Sequence, residues 1–423
     1  MKILFFTENF PPETNAAATR VYERALYWVK WGHGVTVITC NPNFPHGRVF
    51  EGYQNNYCTE DMDGIRVVRV RTYISSNRGF LRRITDFLSF MVNGYRAAKC
   101  EPNPDIVIST SPQFFTAVAA WWFAKRRKLK YVFELGDLWP ASIAAVGAMR
   151  ANFALRLIET LELKMYRDAD AIVALTQSFK DNLTSRNIPE GKISVVINGV
   201  DLWRYAPRPR NTELAQQAKL AKNACVFGYI GTHGMAHALN NVLDAAALLR
   251  DREDIQFLFV GAGAERNALI ERARQEGLSN VVFLEAQAKE RMPDVWSLCD
   301  VALVHLKSSE VFAGVIPSKI FEAMGMKLPI LFAGPKGEGS RIVSDAKAGL
   351  VVNAEDPEAL AESALKFTDD TAMRHEMSKH SAAAAPRYSR ETQARHMIEV
   401  LQAVADGDSQ TVARIQAQDN TQS

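Results

Sequence analysis

The chain of 423 residues is short of cysteine, of net charge and of long apolar runs, and each scarcity removes a class of protein. The five cysteines, Cys40, Cys58, Cys100, Cys225 and Cys299, are odd in number and widely scattered. They lack the close pairs that zinc or a dithiol requires, and suit a reducing cytoplasm. No stretch reaches the roughly 18 apolar residues of a spanning helix, so any membrane association is expected to be peripheral. The opening Met1-Lys2-Ile3-Leu4-Phe5-Phe6 soon meets Glu8 and Pro11; it is too short for a signal segment and reads as a buried strand. A formal charge of +3 gives no global reason to expect nucleic acid. Locally the balance differs: between Arg66 and Lys130 many cations meet only Asp86, Glu101 and Asp105, which predicts an electropositive face on the first half.

The 47% hydrophobic and 23% charged shares are those of a globular protein, and the length calls for two cores. Strand-like apolar runs alternate with helix-period segments, the pattern of parallel sheets covered on both faces. The first series comprises 3–6, 35–39, 65–70, 106–109, 131–134, 171–175 and 193–197. A helix is expected over 19–31, where Val21, Ala25 and Val29 recur every four residues. The Pro-containing stretch 205–211 reads as a linker, and a second series follows at 226–230, 256–260, 281–284, 301–304, 330–332 and 349–352. The expectation is α/β, with two doubly wound Rossmann-like domains at 1–204 and 205–387 and a disordered tail over 406–423.

Three motifs carry chemistry. Gly231-Thr232-His233-Gly234 follows a strand and precedes a helix, where backbone N–H groups can face an anion, although such turns are ordinary in α/β domains. Gly261-Ala262-Gly263-Ala264-Glu265-Arg266 resembles half of a dinucleotide fingerprint, but Arg266 stands where the third glycine is required, so a tight turn is the better reading. In Gly314-Val315-Ile316-Pro317-Ser318-Lys319-Ile320-Phe321-Glu322-Ala323-Met324, Pro317 suits a first helical turn. Ser318 and Lys319 can then hold phosphate, while Glu322, one turn beyond Ser318, can accept both hydroxyls of a ribose if its carboxylate is unpaired. A plain surface Lys–Glu pair has the same spacing.

This last segment resembles the signature of the retaining GT-B glycosyltransferases of family four. Phe10-Pro11-Pro12-Glu13, Ala17-Ala18, Arg20 and Gly32-His33-Gly34-Val35-Thr36-Val37 resemble the family's first βα unit, and Asn198-Gly199-Val200-Asp201 and Asp300-Val301-Ala302-Leu303 also match. The resemblance implies two domains facing across a cleft, a closing helix near 388–405 that packs back on the first domain, and a nucleotide-sugar donor held by the second. Glu134-Leu135-Gly136-Asp137-Leu138-Trp139-Pro140 with Pro317-Ser318-Lys319 resembles the bacterial branch that builds capsule, O-antigen or colanic-acid units, including transferases of N-acetyl-L-fucosamine.

On that resemblance the donor is a UDP-sugar of hexosamine type. Its diphosphate would meet residues 231–234 and 314–319, its ribose Glu322, and its uracil the backbone near Glu285-Ala286-Gln287. The family's second glutamate falls at Gly314, so either Glu310 or backbone around Gly314 takes its place. The family's arginine and lysine after the glycine turn are also missing, since His233, His237 and Asn240 occupy that region. Lys319 then becomes the main cation on the leaving diphosphate, helped by Arg20 across the cleft. Asp137 contacts acceptor or donor sugar, or caps a helix. Asp61-Met62-Asp63 has the form of a metal site in another architecture, but Gly64 makes it a hairpin turn, and no metal is expected because helix N-termini and Lys319 can neutralise the leaving group. A lipid-linked acceptor, an undecaprenyl diphosphate saccharide, would bring the first domain to a membrane surface. Residues 80–96 are expected there, whereas 116–124 with its basic end reads as a core helix. A sugar-nucleotide epimerase of the same fold and a degenerate scaffold subunit are the alternatives.

Overall fold

The computed structural model describes residues 1–44, 47–74, 80–111, 113–138 and 153–408, with side chains left aside at 80–84, 153–156 and 311. Arg78, Trp139, Pro140 and the tail from 409 lie outside the described residues, as do the side chains of Arg82 and Arg83. Two compact units divide the chain, Met1–Asn198 with Gln393 onward, and Gly199–Thr392.

The first unit is built on β1 (Lys2–Phe6), β2 (Gly34–Cys40), β3 (Cys58–Met62), β4 (Ile65–Val70), β5 (Ile106–Thr110), β6 (Lys130–Leu135), β7 (Ala171–Ala174) and β8 (Ile193–Val195). They form one sheet in the order β3-β4-β2-β1-β5-β6-β7-β8, parallel except for the β3–β4 pair. Successive side chains of a strand point to opposite faces, and β1 sends Leu4 and Phe6 into one core and Ile3 and Phe5 into the other. Both faces are therefore covered, which is why these strands read as continuous apolar runs. The helices α1 (Ala16–Lys30), α2 (Phe80–Cys100) and α3 (Phe114–Arg127) belong to this unit. α1 begins three residues before the expected 19 because the Asn15 side chain accepts from Ala18 N at 2.9 Å and caps it. Trp28 of α1, fully buried, donates from Nε1 to the Ala394 carbonyl at 2.9 Å, so the helix Arg390–Asp406 contributes Ala394, Met397, Val400 and Leu401 to this core.

β3 was not foreseen, because its sequence Cys-Thr-Glu-Asp-Met is polar and it pairs only along one edge. Asp63 and Gly64 join it to β4 with φ of 54° and 82°, the left-handed pair of a two-residue hairpin. The electropositive face is weaker than the cation count suggested. Arg66 pairs with Glu101 at 2.8 Å, buried Arg69 with Glu60 at 2.6 Å, Lys125 with Asp168 at 2.6 Å and Lys130 with Asp170 at 3.1 Å. Three of those carboxylates lie outside the 66–130 window and are brought in only by folding.

The second unit holds β9 (Cys225–Ile230), β10 (Ile255–Val260), β11 (Val281–Leu284), β12 (Val301–His305), β13 (Ile330–Ala333) and β14 (Gly349–Val352) in one parallel sheet ordered β11-β10-β9-β12-β13-β14. The stretch 205–211, read as a linker, is part of this unit: Arg208 pairs with Asp294 at 2.9 Å, Arg210 with Asp300 at 2.7 Å, and Asn211 caps the helix Thr212–Gln217. Its prolines and polar residues suggested a tether, but the arginines are anchored. All five cysteines are free, and no helix among the described residues is long and apolar enough to cross a membrane.

Candidate functional site

In a parallel sheet, loops at the carboxyl ends of adjacent strands converge, and the second unit gathers most of the expected residues there. Residues 231–237 leave β9, residues 261–265 leave β10, and residues 306–318 lead from β12 to the helix Lys319–Gly325. Gly231 takes φ +145°. A Cβ at Gly261 would stand 1.9 Å from the Gly231 carbonyl oxygen, and one at Gly263 2.2 Å from that of His233. The Gly261–Gly263 motif thus lets two loops press backbone to backbone, with His233 N donating to Ala262 O at 2.9 Å. Arg266, the residue that broke the dinucleotide fingerprint, pairs with Glu285 at 2.9 Å.

Lys319 is the centre of the arrangement. Its side chain is buried, its Nζ lies 3.9 Å from the Tyr229 ring centroid, and a Cβ on Gly231 would be 3.2 Å from that nitrogen. The aromatic face stabilises the ammonium, but no hydrogen-bond or ion-pair partner for it is found among the described residues. Burial lowers its pKa from 10.5 to about 7, opposed only by the charge of Glu322. A cation in this state gains most from an incoming anion. The His237 ring is 5.8 Å from the same Tyr229 ring, and its pKa is lowered by burial and then by Lys319. His233 is fully buried among Tyr229, Phe259 and Phe283, with neither ring nitrogen hydrogen-bonded among the described residues; burial, then Arg266 and Lys319, lower its pKa to about 4, which favours the neutral ring.

Glu322 is half-buried, and the expectation of an unpaired carboxylate needs correcting. Its Oε2 accepts from Trp296 Nε1 at 2.9 Å, because the short helix Met292–Trp296 presents the indole to it. Burial raises its pKa, while Trp296 and Lys319 counter the rise. One oxygen is thereby oriented by the indole. Ser318 occupies the N-cap position of its helix without a side-chain cap bond, and Ile316 and Pro317 are half-buried before it. Gly314 ends the short helix Glu310–Ala313; Val315 and Glu310 are exposed. After β11, Ala286 is exposed and Gln287 Nε2 donates to the Glu285 carbonyl at 3.2 Å. Tyr229, Trp296 and His305 are the participants the sequence reading missed. His305 carried a signal, an ionisable residue closing the apolar strand Val-Ala-Leu-Val-His, whereas Tyr229 and Trp296 resemble ordinary core aromatics.

The first unit organises a second cluster at the carboxyl ends of β5 and β6. Arg20 lies close to Glu134 there, Nε to Oε1 at 3.3 Å, and donates from Nη2 to Thr110 Oγ1 at 3.1 Å. Arg24 shares the same fully buried carboxylate. Ser111 Oγ accepts from Gly136 N at 2.7 Å and Asp137 N at 3.0 Å, which fixes the turn that carries Asp137. Arg20 was expected to help neutralise a leaving group; the structure shows its charge engaged by Glu134.

Residues 17–204 match the model of "Glycosyltransferase Family 4" and residues 210–383 that of "Glycosyl transferases group 1". A putative colanic acid biosynthesis glycosyl transferase of Escherichia coli, WcaI, is 25% identical over 327 residues, covering 76% of this chain and 80% of that protein. Among solved structures, sucrose-phosphate synthase from Thermosynechococcus elongatus superposes with a TM-score of 0.74 at 15% identity, covering 96% of this chain and all of that one. HepE from Anabaena, solved in complex with UDP, gives 0.69 at 17% identity, covering 95% of this chain and all of the other. With a glycosyltransferase family model on each half of a chain whose two units are both Rossmann-like, the chain belongs to the group 1 and family 4 glycosyltransferases and is a transferase of that kind.

Proposed function

We propose that the protein moves an N-acetylated amino sugar from a UDP donor to a lipid-linked saccharide, an undecaprenyl diphosphate carrier being the acceptor's anchor, in bacterial surface polysaccharide synthesis. The single observation that carries the donor reading is Lys319: a buried ammonium beside Gly231, one turn before the carboxylate of Glu322, with no anion of its own among the described residues. The names of WcaI and of the UDP-bound HepE support the acceptor pathway and the nucleotide. In this reading Lys319, Ser318 and the backbone of 231–234 and 314–317 take the diphosphate, Glu322 the ribose, and residues 285–287 the uracil. Glu310 or Gly314 backbone meets the sugar, and Asp137 the sugar or acceptor. Retention at the anomeric carbon follows from the family resemblance. No metal is required, because negative charge growing on the leaving phosphate is met by Lys319 and oriented N–H groups. The enzyme works in the cytoplasm, with its first unit peripheral on the membrane.

Calorimetric titration with UDP tests the donor site. The unaltered protein binds UDP, equally with and without chelator. Glu322→Ala loses about 10- to 100-fold in affinity, as expected for charge-assisted hydrogen bonds worth about 1.5–3 kcal/mol. Lys319→Ala loses a comparable amount. Unchanged affinity in the first variant removes Glu322 from the site, and loss of binding on adding chelator overturns the metal-free mechanism.

A further inference from the structure

The phosphate-facing turn 231–237 is suspended between two neighbouring strand ends. On one side Gly231 N donates to Val260 O and His233 N to Ala262 O, both at 2.9 Å. On the other, Lys307 N donates to Ala236 O at 2.9 Å, and the ring of His305 approaches the His237 carbonyl oxygen, Nδ1 to O at 2.7 Å. The pairing is reciprocal, since His237 Nδ1 lies 3.3 Å from the His305 carbonyl. Only a protonated Nδ1 can donate to a carbonyl, so the tautomer of His305 is set. Burial pushes its pKa down to about 4, leaving Nε2 a bare acceptor. Nε2 is 2.8 Å from Asn241 Oδ1; two acceptors cannot bond, so the amide is assigned the flipped orientation, in which its NH2 donates to Nε2. A chain of hydrogen bonds thus runs from Asn241, in the helix Asn240–Leu248, through the fully buried His305 to the turn.

We propose that His305 is the positioning residue of the donor site: its Nδ1–H fixes the His237 carbonyl and with it the shape of the turn beside Lys319. A group that holds a binding loop in its bound conformation raises affinity by removing the cost of ordering it. The imidazole touches no nucleotide; it acts through the turn. The inference rests on the reading of 231–237 as a diphosphate cradle.

The test compares two amides in calorimetric titrations with UDP, each variant checked for an unchanged melting profile. The side-chain NH2 of asparagine falls where Nδ1 stands, whereas that of glutamine reaches only the Nε2 position. His305→Asn should therefore keep affinity within about threefold, and His305→Gln should lose about tenfold or more, the loss expected when a hydrogen bond that orders the loop is removed. Asn241→Leu, which leaves His305 in place but removes the partner that holds its Nε2 and so its ring orientation, should fall between them. A residue that merely fills space would not distinguish the two amides, so equal affinities for His305→Asn and His305→Gln overturn the proposal, and should both fail to fold, unchanged binding by Asn241→Leu does so. Absence of UDP binding by the unaltered protein overturns the donor reading itself, and this one with it.

Discussion

A lysine whose ammonium is buried against a tyrosine ring is costly to keep charged, and that cost makes Lys319 a direct test of the proposed donor site. In the ligand-free protein its pKa is about 7, with burial the main cause. A diphosphate alongside favours the charged form and raises the pKa, so binding above pH 7 must take up a proton. The sign follows: UDP affinity is highest where Lys319 is already protonated and falls as pH rises through 7, by up to about tenfold per pH unit until the bound-state pKa is reached. The terminal phosphate of UDP, with a pKa near about 6, is already ionised in this window and adds no opposing slope. Titrations between pH 7 and 9, in buffers of different ionisation enthalpy, read the proton directly. A flat profile without proton uptake means that Lys319 does not meet the phosphate. The same chemistry could not be read from the Ser318-Lys319 spacing, because a solvated lysine at that position would have the same sequence and no such pH dependence.

At the scale of elements, α1 is clamped to the sheet by charge as well as by apolar contact. Arg20 and Arg24, one helical turn apart, converge on Glu134 of β6. Burial by itself would raise the pKa of Glu134, but the two guanidiniums outweigh it and hold the carboxyl below its ordinary value. Its contribution is present above the unfolded pKa and is lost as pH falls through the lower folded one. Glu134→Gln leaves two buried cations facing an amide, and should lower the unfolding free energy by about 3–5 kcal/mol at pH 7, with the deficit shrinking in acid; chemical denaturation at both pH values checks it. Strands of this kind were legible in the sequence, since burial on both faces writes them as unbroken apolar runs. Helices were legible where a period of four persisted, as in α1. Polar β3 escaped because one-sided edge pairing leaves no such run, and 205–211 was misread because proline and charge look alike in a tether and in an anchored loop. The candidate site divides in the same way: Lys319, Glu322 and the glycine turn stand in contiguous motifs, whereas Tyr229, Trp296 and Glu134 acquire their partners only through the third dimension.

For the molecule as a whole, a formal charge of +3 conceals a local asymmetry on the first unit. The rings of Phe87 and Phe115 lie 6.5 Å apart and those of Tyr95 and Phe123 6.2 Å, so α2 and α3 run side by side in the same direction. Their outer faces expose Leu88, Val92 and Trp122, at 38%, 42% and 43%, and both helices end in cations: Arg96 and Lys99 on α2, Lys125, Arg126 and Arg127 on α3. Sequence reasoning assigned 116–124 to a core helix with a solvated basic end. Its inner face is indeed core, with Ala117, Ala120, Trp121 and Ala124 buried, but Trp122 points outward under the guanidinium of Arg126, 5.0 Å from the ring centroid. Exposed apolar residues with an aromatic beside cations suit the boundary of an anionic bilayer, where each cation near the surface contributes about 1 kcal/mol. The protein should therefore co-sediment with phosphatidylglycerol vesicles and not with phosphatidylcholine alone, and should dissociate as salt shortens the Debye length. Reversing Arg96 and Arg126 to glutamate removes two attractions and adds two repulsions, and should lower the vesicle partition coefficient by about 100-fold or more while UDP affinity in solution is unchanged. Equal partition onto neutral and anionic vesicles would show that this face does not read lipid charge, and undiminished binding by the doubly reversed variant would place the contact elsewhere on the chain.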